Sequence, residues 1–449
     1  IDQLAGKIDI RSILENHRNL RQPVTRQGAR LLQMGKAGHD GLDRKGHSLL
    51  DFERLIRDAI ELLNGRGEQA LMDEDDARDR LLAGYEHIFV DEYQDIDEQQ
   101  YELVGALAGR RQRDADARLN IMAVGDDDQN IYAFKGASVE FIRRFQADYG
   151  GEVTYLVENF RSTQHIIAAA NHVIQRAADR MKVDHPIRID QARMHDPPGG
   201  RWEALDPLQR GRVRSIAAPV SANLQAQVVM QEVQRIRAAD PSARLGAIAV
   251  LARTHRALQP LRALCEAMAL RFELVSSEGA RSRVSFMQLR EGWLTAQALR
   301  GRRSELVKLQ DLQRWLAQQI AQEPDNPYWA DIAAAVDEFA QGSQVDQVTA
   351  LELLDALHEA ADDARQGGAP DALRLITAHS AKGLEFDHVI VMDCGDWHWG
   401  GDDDRRLLYV AMTRARQTLV AIRAEGGRNA YLTDLGSVDG VAEALPSVR

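Results

Sequence analysis

Short apolar runs, each closing on a polar cluster, alternate along this chain with stretches in which apolar residues recur at helical spacing. Ile88, Phe89 and Val90, with Tyr85 behind them, form the first run and predict a strand buried on both faces of a parallel sheet. Further strands are expected at Leu119 to Val124, Val153 to Val157, Ala247 to Leu251, Leu373 to Thr377, Val389 to Met392 and Thr418 to Ile422. Helical spacing predicts a helix through Leu49, Phe52, Ile56, Ile60 and Leu63, opened by Ser48 with Asp51 as a capping box and ended by Asn64-Gly65. Helices are also expected at Leu4 to His17, Asp97 to Leu107, Ala168 to Ile174, Leu224 to Arg237 and through Leu407 to Ala411. Residues 179–217 read as loop, broken most firmly at Pro197-Pro198-Gly199-Gly200. From 277 to 368 only helical patterns are found, which predicts an all-helical insertion with Trp293, Trp315 and Trp329 in its core. The alternation elsewhere gives an α/β fold.

Length and charge narrow the function. A chain of 449 residues can bury two to four cores, and 44% hydrophobic with 28% charged residues is ordinary for a globular protein. The net charge of −12 excludes a small basic nucleic-acid binder, but not an enzyme that holds a strand in a local groove. Cys265 and Cys394 are the only cysteines, far apart in sequence and without the paired spacing of a zinc site, so neither a Cys-rich metal site nor a disulfide framework is expected. With no apolar run near the roughly 20 residues of a membrane span and no signal peptide, a cytoplasmic setting without membrane partners is expected. The first residue is Ile1, from which we expect a piece of a longer polypeptide.

Chemistry gathers where the strands stop, the place where open α/β sheets bind ligands. After Val90, Asp91 offers a hard oxygen to Mg²⁺ and Glu92 a base for an attacking water, although an acidic pair can equally be a solvated turn. After Val124, Gln129 can donate and accept, which suits sensing a phosphate. Tyr132 and Phe134 beside Lys135 combine stacking faces with a cation, the pairing that holds single-stranded nucleic acid; the alternative is the apolar start of the next helix. Glu158-Asn159-Phe160-Arg161-Ser162-Thr163 places Arg161 next to a helix capped by Ser162 or Thr163, as a surface charge or as a guanidinium aimed at phosphate. Arg253-Thr254-His255 and Ala378-His379-Ser380-Ala381-Lys382-Gly383-Leu384-Glu385 follow later strands. Trp397 to Gly401 reads as a flexible aromatic loop folded onto its own sheet, the alternative being an exposed Trp that touches bases.

Taken together, VDEYQD, GDDDQNIYAFKGA, ENFRST, ITAHSAKGLEFDHVIV and RRLLYVAMTRAR resemble motifs II to VI of the UvrD/Rep family of superfamily 1 DNA helicases, in family order. LLDFERLI and IAVLARTHRAL resemble that family's segment before motif II and its motif IVa. The resemblance implies two RecA-like domains of the P-loop NTPase type with parallel sheets, ATP between them, and translocation 3′ to 5′ on single-stranded DNA. By position it implies that Asp91 binds Mg²⁺, Glu92 activates water and Gln129 contacts the γ-phosphate. Arg161 and Arg414 would be arginine fingers, Gly383 and Glu385 would lie at the nucleotide, and Phe160 would stack on adenine where the family usually has Tyr. Tyr132, Phe134 and Lys135 would meet DNA, and His379 would couple the DNA and nucleotide sites.

Departures from the family shape the rest of the expectation. No G-x-x-x-x-G-K-[ST] occurs, and Gly6-Lys7 and Gly35-Lys36 lack its spacing. Residues 1–150 are therefore expected to be an incomplete first RecA-like domain with part of a helical 1B region. The second domain is expected at 151–276 and 369–430, a reduced 2B-like insertion at 277–368 and a tail at 431–449. The function expected is that of the C-terminal part of an ATP- and Mg²⁺-dependent DNA helicase, inactive alone, whose partners are single-stranded DNA, duplex junctions and its own missing N-terminal part. The alternatives are a non-catalytic DNA-binding scaffold and a translocating ATPase without strong unwinding.

Overall fold

The computed structural model describes residues 52–64, 81–112, 118–275, 281–283, 285–300, 306–343, 346–366, 371–393, 395, 397, 401–426 and 429–444. The expected helix at Leu4 to His17 and the Ser48 cap lie outside them. Two units, Ile1–Thr154 and Tyr155–Arg449, divide the chain.

In the first unit, β1 (His87–Val90) pairs in parallel with β2 (Asn120–Ala123), Ile88 opposite Ile121 and Phe89 opposite Met122. Ile88, with Val90 and Ile121, packs on apolar residues of α1 (Phe52–Leu63) and α2 (Glu98–Ala108), among them Ile56, Ala59, Leu103 and Leu107. Side chains alternate along a strand, so the same pairing turns Phe89 and Met122 to the other face, where they are 71% and 55% exposed. The expectation of burial on both faces is thereby corrected: β1 is buried on one. Asp97 caps α2 reciprocally with Gln100 (2.8 and 3.1 Å), and Gly109 in the left-handed region ends it. A smaller cluster joins Tyr93, Ile96 and Tyr101 to Phe141 and Phe145 of α3 (Val139–Tyr149).

The second unit begins with a short parallel pair, β3 (Glu158–Asn159) and β4 (Arg188–Ile189), separated in sequence by α4 (Gln164–Ile174). Val153 to Val157 forms no strand, contrary to expectation, and Val153 and Leu156 are exposed. In chain order β5 (Val213–Ala218), α5 (Ala222–Ala239), β6 (Ile248–Ala252), α6 (His255–Ala267), β7 (Phe272–Val275) and β8 (Arg281–Arg283) follow. After the insertion come β11 (Leu373–Thr377), β12 (Phe386–Met392), α11 (Asp402–Met412), β13 (Ala415–Ala424) and β14 (Val441–Ala444). The sheet order is β14-β5-β13-β12-β6-β11-β7-β8, with every pairing parallel except β7 with β8. All five residues of β6 are buried, as a strand inside a parallel sheet requires. Because β14 pairs with β5, residues up to 444 finish the sheet and are not a tail.

The insertion packs α7 (Arg290–Arg300), α8 (Leu309–Gln322), α9 (Pro327–Ser343) and α10 (Ala350–Gln366) around Leu312, Leu316, Trp329, Ile332, Val336, Leu353 and Leu357. It is not all-helical: β9 (Leu306–Lys308) and β10 (Gln347–Thr349) form an antiparallel ribbon within it. Trp329 is buried with Trp315 edge-on at 5.6 Å, whereas Trp293 is half exposed and belongs to no core. Among the described residues, no helix is long and apolar enough to cross a membrane.

One buried titratable group in the sheet makes stability depend on pH. His388 bonds Thr418 (2.8 Å), lies edge-on to Trp202, and burial pushes its imidazole down to about 4. The unfolded chain takes up this proton near pH 6.5 and the folded chain only near 4, so the native state loses stability as pH falls through that window. His388→Gln is expected to remove a component of up to about 3 kcal/mol from that fall. Urea midpoints of both proteins between pH 7 and 4 check it; parallel curves would contradict it.

Candidate nucleotide and DNA site

In the first unit, the residues that follow β1 and β2 are tied to one another. Tyr93 N–H donates to the Val124 carbonyl (2.9 Å), and Asp126 N–H to Gln94 Oε1 (2.9 Å). Asp91 is exposed, and its Oδ1 accepts the Glu92 N–H (2.9 Å). Glu92 sits at φ 51°, ψ 41°, a left-handed conformation that a non-glycine residue adopts at a cost and that recurs at functional sites. Its Oε2 accepts from Gln94 Nε2 (2.5 Å). Asp126 caps the turn Asp127–Gln129 by accepting from Asp128 N–H (3.1 Å), and its other oxygen accepts from Gln129 Nε2 (2.8 Å). Oxygens of Asp126, Asp127 and Asp128 lie within 4.8 Å of one another, but those of Asp126 serve this turn. Asp91, a strand-end carboxylate oriented by the following N–H, fits the one or two carboxylates that Mg²⁺ takes from a protein when phosphates fill its other positions.

Tyr132 and Phe134 lie 6.2 Å apart, Phe134 being 70% exposed. Lys135 is on the same turn, which Gly136 closes at φ 90°. The next helix starts only at Val139, capped by Ser138, so these aromatics are not its first turn.

In the second unit, Asn159 Oδ1 accepts from both Arg161 N–H (2.9 Å) and Ser162 N–H (2.8 Å), fixing the backbone that carries Phe160 and Arg161. Phe160 is exposed. Ser162 Oγ donates to the Ala415 carbonyl (2.7 Å), while Thr163 stands at the N-cap of α4 without a side-chain cap bond. Arg161 reaches Glu385 (2.7 Å) and the Thr413 carbonyl (3.4 Å), and this guanidinium holds the Glu385 carboxyl below the usual range. Arg416 approaches the same carboxylate at 3.6 Å. Arg414 is buried and donates to the carbonyls of Val410 (3.0 Å) and Leu384 (3.4 Å) and to Thr413 Oγ1 (3.1 Å), a cation at the carboxyl end of α11. Residues separated by more than 220 positions in sequence thus converge within one unit.

The register shows where this cluster lies. Thr377 of β11 pairs with Ala252, at the end of β6, and His388 of β12 with Ile248, at its start. Residues 378–385 therefore run from the carboxyl edge of the sheet, near His379, to its amino edge, where Glu385 precedes β12 and Arg414 precedes β13. The arginine cluster is thus at the amino edge, a correction to the expectation that strand ends of one kind gather all the chemistry. Gly383 permits the crossing at φ 79°. In Arg253-Thr254-His255, Thr254 caps α6 through Ala257 N–H (3.3 Å) and Arg253 pairs with Asp404 (2.9 Å). Trp397 is buried, its indole N–H on the Met392 carbonyl (2.8 Å), while 398–400 of the expected loop lie outside the described residues. Gln94, Asn159 and Arg416 were missed; each stands inside or beside a recognised motif, but only the fold shows what each one touches.

Two family models match parts of the chain. The UvrD/REP helicase N-terminal domain matches residues 13–150, and the UvrD-like helicase C-terminal domain matches 372–422. The ATP-dependent DNA helicase UvrD1 of Mycobacterium tuberculosis is 42% identical over 132 residues, covering 29% of this chain and 16% of that one. DNA helicase II of Escherichia coli is 28% identical over 475 residues, covering 88% and 62%. ATP-dependent DNA helicase PcrA of Bacillus subtilis is 26% identical over 451 residues, covering 84% and 59%. The chain thus spans less than two thirds of the length of these relatives. The two family models and these relatives together support a UvrD/Rep-type helicase.

Proposed function

We propose that this chain supplies the water-activating half and the arginine half of an ATP-driven motor that moves 3′ to 5′ on single-stranded DNA and opens duplex junctions. The observation that carries the reading is the convergence of Arg161, Glu385 and Arg414, which come from three separate motifs. In this reading the motor works in the cytoplasm.

Phosphoryl transfer asks a protein mainly for positioning and for charge compensation at the transferring group. Asp91 would hold Mg²⁺, which when bound neutralises charge on the phosphate oxygens. Glu92 would take the proton of the attacking water, and Gln129 would report the γ-phosphate to the residues after β2. Arg161 would leave Glu385 to meet developing negative charge. Its ion pair is partly exposed (34% and 48%), so it is worth about 0–1 kcal/mol and opposes that exchange little. The phosphate-cradling loop has to come from outside these 449 residues, so the chain alone should hydrolyse ATP negligibly, with or without DNA. Brisk turnover by the chain would overturn this part of the proposal.

DNA binding is testable on the chain as it is. Base stacking on an aromatic is worth about 1–3 kcal/mol, so Phe134→Ala is expected to weaken binding of a fluorescent oligothymidine roughly 5- to 150-fold. Unchanged anisotropy titrations would remove Phe134 from the DNA site.

A further inference from the structure

We propose that Gln94 is the positioning residue that aims Glu92, which makes it a functional member of the site although it faces no solvent. The proposal rests on the ATPase reading above. Gln94 is fully buried. Its amide is used on both sides: Nε2 donates to Glu92 Oε2 (2.5 Å), and Oε1 accepts from the Asp126 N–H (2.9 Å). Its main-chain carbonyl accepts from Asn130 Nδ2. One side chain therefore joins the base that follows β1 to the segment that follows β2, 32 residues away. Asp126 in turn holds Gln129 (2.8 Å), so a continuous line of hydrogen bonds runs from Gln129 to the Glu92 carboxylate.

Two further features show that space and backbone are arranged for this contact. A Cβ on Gly125 would stand 2.7 Å from Gln94 Oε1 and 2.8 Å from Ile142 Cδ1, so glycine is what lets the amide reach the Asp126 N–H. Glu92 itself is left-handed, which turns it back over its own turn, where Asp95 N–H donates to its carbonyl (2.8 Å) and Gln94 meets its carboxylate. An amide offers a donor to a carboxylate on one side and an acceptor to an N–H on the other. A glutamate at 94 would set one carboxylate against another, and a leucine would remove both bonds. A displacement of about 1 Å at a reacting group can cost roughly 10²-fold in rate, so a residue that fixes Glu92 controls turnover without touching the substrate.

The test has two arms. In the chain itself, hydrogen exchange of peptides covering Glu86 to Asp97 and Met122 to Ala133 is compared for wild type, Gln94→Glu, Glu92→Gln and the double exchange. Gln94→Glu should accelerate exchange in both peptides, and adding Glu92→Gln, which restores a donor opposite the carboxylate, should recover protection. Independent, additive effects would overturn the pairing. In the protein carrying a phosphate-binding loop, Gln94→Glu should lower kcat roughly 10²-fold with the KM for ATP little changed, and should add nothing to the loss caused by Glu92→Gln. Coupled exchange with wild-type kcat in Gln94→Glu would overturn the positioning role and leave the ATPase reading standing. Wild-type turnover in Glu92→Gln would overturn both.

Discussion

Replacing Arg161 with alanine is expected to slow DNA-stimulated ATP turnover by about 10³-fold or more in the P-loop-bearing protein, with ATP affinity changed only a few fold. An arginine finger acts on charge that develops in the transition state, and its loss typically costs about 10³ to 10⁵ in rate. The fold should survive the change, because Asn159 bonds the backbone N–H groups of residues 161 and 162 and not the guanidinium. Arg161→Lys should recover little, since a point charge does not reproduce the planar fork. Parallel initial-rate and equilibrium-binding measurements decide the matter, and equal losses in both would argue for a ground-state contact instead. Arg414 is a less clean probe: it also bonds two carbonyls and a hydroxyl in the interior, so its removal mixes catalysis with stability.

The second large effect is expected at Glu92. Glu92→Gln keeps the size of the side chain and a partner for Gln94, yet removes the base, and general-base contributions are typically about 10² to 10⁴ in rate. ATP and Mg²⁺ binding should persist, whereas Asp91→Asn should weaken Mg²⁺ binding and raise the Mg²⁺ concentration that turnover requires. Single-turnover hydrolysis across a Mg²⁺ series separates the two. Wild-type rates in Glu92→Gln would remove the residue from the chemistry.

The sequence is most legible where physics is local. Leu373 to Thr377 is a strand as predicted, because an unbroken apolar run can be satisfied only between neighbouring strands with both faces covered. The helix after Asp402-Asp403-Asp404 begins there, its acidic first turn facing the positive end of the dipole. Phe89 misled because a short apolar run reads alike whether one face or two are packed. Val153 to Val157 has strand composition, but among the described residues only its last carbonyl is met, by the Arg188 N–H (2.8 Å), and the paired strand begins at Glu158. The placement of Glu385 on the edge of the sheet opposite to His379 depends on the registers of β11 and β12 against β6, which no local pattern encodes. The role of Asn159 was hidden for the reverse reason: its bonds are local, but an amide that holds a turn leaves no charge or periodicity in the sequence.

ATP hydrolysis with and without single-stranded DNA, measured on the P-loop-bearing protein as wild type, Glu92→Gln, Arg161→Ala and the pair combined, tests most directly whether both sets of side chains serve one phosphoryl transfer. The account predicts DNA-stimulated turnover that each single change abolishes and a double variant no slower than the slower single. Multiplying losses, or turnover indifferent to DNA, would contradict it.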